Sequence, residues 1–188
     1  MTARADRVAA TRDRITRAAM DMFLVEPYDD VTLARIAAGA GVSHQTVLNH
    51  FDSKEGVVLS VVELFSEQTI DARSKAQPGD VAGAVKALVG DYERMGDANF
   101  RWATTDKLGE LAGVLDDARA HHQTWIETMF GELIPRSPAA RRRAVHALHA
   151  ATDVYTWKLL RRDLRLTRAE TERIIADLVV GVLERNTP

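Results

Sequence analysis

No cysteine occurs in the 188-residue chain, which removes disulfides, thiolate metal sites and cysteine nucleophiles from consideration. Proline is scarce. The five prolines (Pro27, Pro78, Pro135, Pro138 and Pro188) fall at expected turns and at the C-terminus, and long stretches between them are open to helix. No apolar run approaches the roughly 18 residues needed to cross a bilayer, so no membrane partner is expected. The opening Met1-Thr2-Ala3-Arg4-Ala5-Asp6-Arg7 is charged and lacks the apolar core of a secretory signal. A soluble, cytoplasmic protein is the expectation. The phosphate-binding loop, the glycine-rich dinucleotide turn, the serine-centred elbow and the His-Glu-x-x-His metal motif are all missing. An enzyme is therefore not expected; no catalytic residue, cofactor or metal ligand is assigned.

An excess of one charge is also lacking, with a formal net charge of −2. The distribution is less even than the sum. Five arginines (Arg4, Arg7, Arg12, Arg14, Arg17) face only Asp6 and Asp13 in the first 20 residues, whereas acids outnumber bases eight to four between Glu55 and Phe100. A basic start joined to an acidic middle suits a nucleic-acid module attached to a different module.

What the chain has in quantity is helical periodicity. Apolar residues make up 46% and charged residues 28%, ordinary for a globular protein of one large or two small domains. The spacing predicts an all-α fold of about nine helices. They run roughly from Arg7 to Leu24, Leu33 to Ala38, Ser43 to His50, Ser53 to Ser74, Asp80 to Met95, Phe100 to Thr104, Asp106 to Leu133, Ser137 to Arg162 and Thr167 to Arg185. The expected division is a domain over 1–52 and a helical domain over 53–188.

The informative stretch runs from Val31 to Phe51. Two short helices that cross steeply need small residues where they meet, which Ala37 and Ala38 supply. The turn between them needs positive φ, which Gly39 or Gly41 provides. Leu33, Ile36, Val42 and Val47 face a core. His44, Gln45, Thr46 and Asn49 remain outward on the second helix, and such hydrogen-bonding groups suit base edges and phosphates in a major groove.

This helix-turn-helix, continued by His50-Phe51-Asp52-Ser53-Lys54-Glu55, resembles the TetR family of bacterial transcriptional regulators. The match covers about Thr11 to Phe65. The resemblance implies an N-terminal three-helix DNA-binding domain followed by a C-terminal helical bundle that binds a small molecule and dimerises through its last two helices. It implies that Thr32 contacts a phosphate, that Ser43, His44, Gln45, Thr46 and Asn49 face the groove, and that His50 and Lys54 lie near the backbone. Gln45 would pair with adenine and His44 with guanine. Arg4, Arg7 or Arg12 would act as an N-terminal arm. The family usually carries an aromatic, most often Tyr, at the position of Leu48, which can pack but cannot donate to a phosphate.

Dimerisation has its own support in two apolar faces. One holds Ile174, Ile175, Leu178, Val179, Val182 and Leu183; the other holds Val145, Leu148, Tyr155, Leu159 and Leu160. Candidate effector contacts are Tyr92, Met95, Phe100, Trp102, His122, Trp125, Met129, Thr152 and Tyr155, an aromatic-rich set suited to an apolar or aromatic ligand. His146, His149 and Asp153 share a helix face, with a hydrogen-bonded polar patch as the expectation there. The expected function is a ligand-responsive repressor that binds a palindromic double-stranded DNA operator as a homodimer. The alternative is a helix-turn-helix regulator whose second domain only dimerises or binds a protein.

Overall fold

The computed structural model describes residues 3–104 and 112–185, all helices, turns and bends, with no strand among them. The chain divides into two compact units, residues 1–68 and 69–188, and the division falls inside the fourth helix.

The first unit begins with α1 (Ala3–Val25), a 3-10 turn (Tyr28–Asp30), α2 (Leu33–Ala40), α3 (His44–Phe51) and the first turns of α4 (Lys54–Arg73). Its core holds Ile15, Phe23, Val31, Ile36, Val47, Phe51, Val57 and Val58. Thr16 and Ser60 join α1 to α4 by a buried hydroxyl–hydroxyl bond of 3.0 Å. The small residues buried on α2 are Ala37 and Ala40, whereas Ala38, expected at the crossing, is exposed. Helix α1 starts four residues before the expected Arg7. Arg4 and Arg7 are thus on a helix rather than in an extended arm, and Arg7 Nε donates to the Ala3 carbonyl at 3.2 Å.

The turns around α3 are set by backbone chemistry. Gly41 ends α2 at φ 64°. Its N–H and that of Val42 return to the carbonyls of Ala38 and Ala37, the paired closure a left-handed residue permits. At the other end of α3, Asp52 adopts φ 62° and Ser53 Oγ accepts from Gly56 N–H at 3.2 Å. A Cβ on Gly56 would run into the Phe51 carbonyl. Gly56→Ala is expected to cost about 1–3 kcal/mol, the range for overpacking. Thermal unfolding of the full chain checks this, and an unchanged melting profile would contradict it.

The second unit holds the end of α4, α5 (Val81–Ala103), α6 (Ala112–Phe130), α7 (Pro138–Thr152), α8 (Val154–Lys158) continued by a π turn (Leu159–Asp163), and α9 (Arg168–Arg185). Its core gathers Leu88, Val89, Ile126, Phe130, Leu148, Trp157, Ile175 and Val179. Three expectations change here. The separate helix at Phe100–Thr104 is the end of α5, which continues through Gly96 and Asp97 because tertiary contacts override local propensity there. Asp97 pairs with Arg162, and Gly96 packs directly beneath the Trp157 ring. The long helix expected from Ser137 to Arg162 breaks at Asp153, whose extended backbone lets its carboxylate cap α8 by accepting from Tyr155 N–H at 3.0 Å. The start expected at Asp106, with Leu108 and Leu111, lies outside the described residues, and α6 ends at Phe130 rather than at the expected Leu133. A capping box opens α9: Thr167 N–H donates to Glu170, and Glu170 N–H donates to Thr167 Oγ1.

Among the described residues no helix is long and apolar enough to cross a membrane, and no group of three or more His, Asp or Glu is placed to hold a metal ion. His149 Nε2 instead lies 3.1 Å from Asp153.

Candidate nucleic-acid interface and effector site

Helix α3 is short, and its caps use much of its polar chemistry. Ser43 Oγ accepts from Thr46 N–H at 3.0 Å and lies 2.8 Å from Thr46 Oγ1. Thr32 plays the same part at the start of α2, accepting from Arg35 N–H at 3.3 Å. Two of the eight residues expected at DNA, Thr32 and Ser43, are therefore first of all caps, and Thr46 is bonded to one of them, although a capping hydroxyl can still serve a phosphate. Val47 and Phe51 turn into the core. The opposite face presents His44, Gln45 and Asn49, all exposed, with Leu48 partly exposed between them. Positions i, i+1, i+4 and i+5 form one stripe of a helix. Gln45 Nε2 donates to Asn49 Oδ1 at 2.9 Å, so the two amides are joined.

The remaining expected contacts carry internal duties. Lys54 donates to the Tyr28 carbonyl and sits 3.8 Å from the centre of the Tyr28 ring. Burial lowers its pKa. One of its three N–H donors is committed, and two are left for an anion. His50 is partly buried beside Phe51, and its carbonyl accepts from Arg12 Nη1 at 2.7 Å. The Arg12 guanidinium also lies 4.2 Å over the Phe51 ring. Arg12, expected in a DNA-reaching arm, instead holds the C-terminal end of α3, where a cation complements the helix dipole. Arg35 was missed by sequence reasoning. It makes a bidentate pair with Glu26 and donates to the Asp30 carbonyl, tying the end of α1 to the start of α2. That hydrogen bond from Arg35 holds the Glu26 carboxyl below its ordinary range.

In the second unit, the residues expected at an effector fall into groups. Tyr92, His122, Trp125 and Thr152 come together; Met95 and Met129 are buried. Phe100 and Tyr155 form a separate edge-to-face pair at 5.4 Å, with the Tyr155 hydroxyl donating to the Ala103 carbonyl. Trp102 lies near the end of α5, partly buried.

The first group is built around a residue that carries no signal in the sequence. Arg73, buried at the end of α4, donates through Nε to Asp91 at 3.0 Å and through Nη1 to His122 Nδ1 at 3.0 Å. Arginine has no acceptor, so His122 Nδ1 carries the lone pair and Nε2 the proton. Nε2 then donates to Thr152 Oγ1 at 2.9 Å, and Thr152 Oγ1 donates to the Leu148 carbonyl at 2.7 Å. Each link fixes the polarity of the next. Burial, with the Arg73 charge second, pushes the His122 pKa down to about 3. Burial pushes Tyr92 up to about 12, and its hydroxyl donates to the Thr152 carbonyl. The Trp125 ring stacks on His122 at 5.5 Å, and His149 meets it edge-on at 4.8 Å. Trp125 Nε1 and His149 Nδ1 are buried without a hydrogen-bond partner.

The two expected dimer faces divide. Val145, Leu148, Leu160, Ile175 and Val179 belong to the core of this unit. Tyr155, Leu159 and Leu178 are exposed, as are Leu164 and Val180.

Comparison with known proteins agrees with the architecture of the first unit, the head. Residues 15–61 match the family of bacterial regulatory proteins named tetR. The chain is 32% identical over 85 residues to the HTH-type transcriptional regulator TcmR of Streptomyces glaucescens. That match covers 43% of this chain and 38% of the relative, so the likeness spans less than half of either protein. A TetR-family transcriptional regulator from Streptomyces coelicolor superposes with a TM-score of 0.72 at 17% identity, covering 94% of this chain and 88% of that one. A gamma-butyrolactone receptor superposes with a TM-score of 0.51 at 19% identity, covering 96% and 99%. At such identities the superpositions speak for the fold alone. Residues 15–61 thus match the TetR family of bacterial regulatory proteins, and the helical chain around them has the fold of solved TetR-family regulators.

Proposed function

We propose that the protein is a ligand-responsive transcriptional regulator, a repressor that binds a palindromic operator as a homodimer and leaves it when a small molecule binds the second unit. The proteins it resembles are transcriptional regulators, not enzymes. The observation that carries the reading is the α3 stripe of His44, Gln45 and Asn49, exposed while the caps and core hold the rest of the helix. Thr32, Ser43 and Thr46 at helix starts, with His50 in the last turn of α3 and Lys54 at the start of α4, form the proposed phosphate-contacting rim. A dimer would set two such helices about 34–36 Å apart, one turn of DNA. Its seam would draw on the exposed Tyr155, Leu159, Leu164, Leu178 and Val180.

The effector reading rests on the polar group around His122. Two buried polar atoms without partners, Trp125 Nε1 and His149 Nδ1, flank one imidazole among aromatic rings. An apolar or aromatic molecule with one or two polar atoms would complete them. A switch requires this molecule to favour the DNA-released state by a few kcal/mol.

Selection of duplexes from a random pool by the full chain tests the function. The expected result is an enriched palindrome, with affinity falling by about 10³ or more between 50 and 200 mM salt. No enrichment, with affinity indifferent to salt, would overturn it. A rise in melting temperature with one member of an aromatic library supports the effector. If none raises it while the palindrome is still enriched, the second unit only dimerises or binds a protein.

A further inference from the structure

We infer that Asn49 is a positioning residue rather than a reader: it orients the Gln45 amide so that α3 selects adenine. This rests on the DNA-binding reading above and deepens it. Gln45 stands in the first turn of α3 and Asn49 one turn later, both exposed. Recognition helices present their N-terminal residues to base edges, so Gln45 is the deeper of the two in a groove. A solitary glutamine there has three rotatable bonds, and its amide can present two donors to guanine or one donor and one acceptor to adenine. The bond from Gln45 Nε2 to Asn49 Oδ1, at 2.9 Å, removes that ambiguity. One Nε2 hydrogen is consumed. In the proposed arrangement the consumed hydrogen is the one anti to Oε1, which leaves the syn hydrogen and Oε1 side by side for the groove.

That pattern complements adenine, which offers N7 as acceptor and its N6 amino group as donor. Guanine offers two acceptors, N7 and O6, and would set O6 against Oε1. Cytosine offers a donor only. Asn49 retains both Nδ2 hydrogens, and, being nearer the C-terminal end of α3, it lies toward the sugar-phosphate backbone. It therefore joins a phosphate donor to a base reader through one hydrogen bond, which couples the register of the helix to the identity of the base.

The test uses the full chain and the duplex enriched by it, with each adenine of the half-site replaced in turn by 7-deazaadenine, which lacks the N7 acceptor. The wild type is expected to lose about tenfold in affinity at one adenine. In Asn49→Ala that penalty should nearly vanish. In Asn49→Asp, which keeps an acceptor for Gln45 but has no donors, the penalty should persist while affinity for every duplex falls. Gln45→Ala should erase the penalty as Asn49→Ala does. A full penalty in Asn49→Ala would overturn the inference, because Gln45 would then read adenine unaided. A penalty at a different adenine, lost only in Asn49→Ala, would make Asn49 a reader and overturn it equally. Failure of the wild type to enrich any duplex would overturn both this inference and the function beneath it.

Discussion

Arg73→Ala is expected to destabilise the second unit by about 3–5 kcal/mol, the cost of leaving a buried charge without its partner. Asp91 is 1% exposed and Arg73 7%. The change would strip Asp91 of its buried cation, leaving only Arg94, whose side chain is half exposed and 3.1 Å away. It would also remove the donor that fixes His122. The three tryptophans all lie in residues 69–188, so denaturation followed by tryptophan emission reports this unit alone. The double change Arg73→Met with Asp91→Leu should recover most of the loss, because apolar residues of similar volume often replace a buried ion pair without penalty. If Arg73→Ala moved the midpoint by less than about 1 kcal/mol, the pair would be peripheral to stability, as exposed pairs are.

A comparably large effect is expected from pH. His122 is neutral in the folded protein, with its pKa pushed down to about 3 against an ordinary value of 6.5. Between those values the unfolded chain takes up a proton that the folded chain refuses. Stability contributed by the neutral ring is fully present above pH 6.5 and is lost as pH falls toward 3. The slope is about 1.4 kcal/mol per pH unit, amounting to something on the order of 5 kcal/mol in all. The window from pH 6.5 to 5.5 reports mainly the histidine, because the carboxylates of Glu93 and Asp153, whose pKa values lie below the ordinary range, begin to cost stability only as pH nears their ordinary values of 4.5 and 3.8. His122→Gln should flatten the slope in that window. An equally steep slope in this variant would assign the acid sensitivity to another group.

The two units were not equally legible. In the head, local rules decide the outcome. Thr32 and Ser43 are capping residue types in front of short apolar-periodic helices, and both cap. Gly41 is where positive φ was needed, and Val47 and Phe51 keep a 3.6-residue period into the core. What sequence could not give there is long range. Arg12 reaches His50 across 38 positions, and no spacing rule announces it.

The C-terminal unit depends on such contacts throughout. Asp91 left one visible trace, a charge on the apolar stripe of Leu88, Tyr92 and Met95, where burial demands a partner. The partner, Arg73, is on another helix and carries no signal of its own. Asp97 within α5 and Asp153 after α7 show the same limit from opposite sides. Asp97 follows a glycine and has the local character of a break, yet Arg162 holds it in helix. Asp153 continues a helical periodicity, yet it leaves the helix and serves as a cap. The apolar faces expected to pair in a dimer were counted too wide for the same reason, since Ile175, Val179 and Leu148 are fully buried in their own unit.

The account's central claim is that the exposed face of α3 reads a DNA sequence. Its most direct test is the triple variant His44→Ala, Gln45→Ala, Asn49→Ala, compared with the wild type on the enriched duplex and on a scrambled one across 50 to 200 mM salt. All three side chains are exposed, and melting temperature should change little. The variant should bind both duplexes alike, weakly and with salt dependence retained, because the base contacts and the Asn49 phosphate contact are gone while the other phosphate contacts remain. A variant that still prefers the enriched duplex as strongly as the wild type would contradict it.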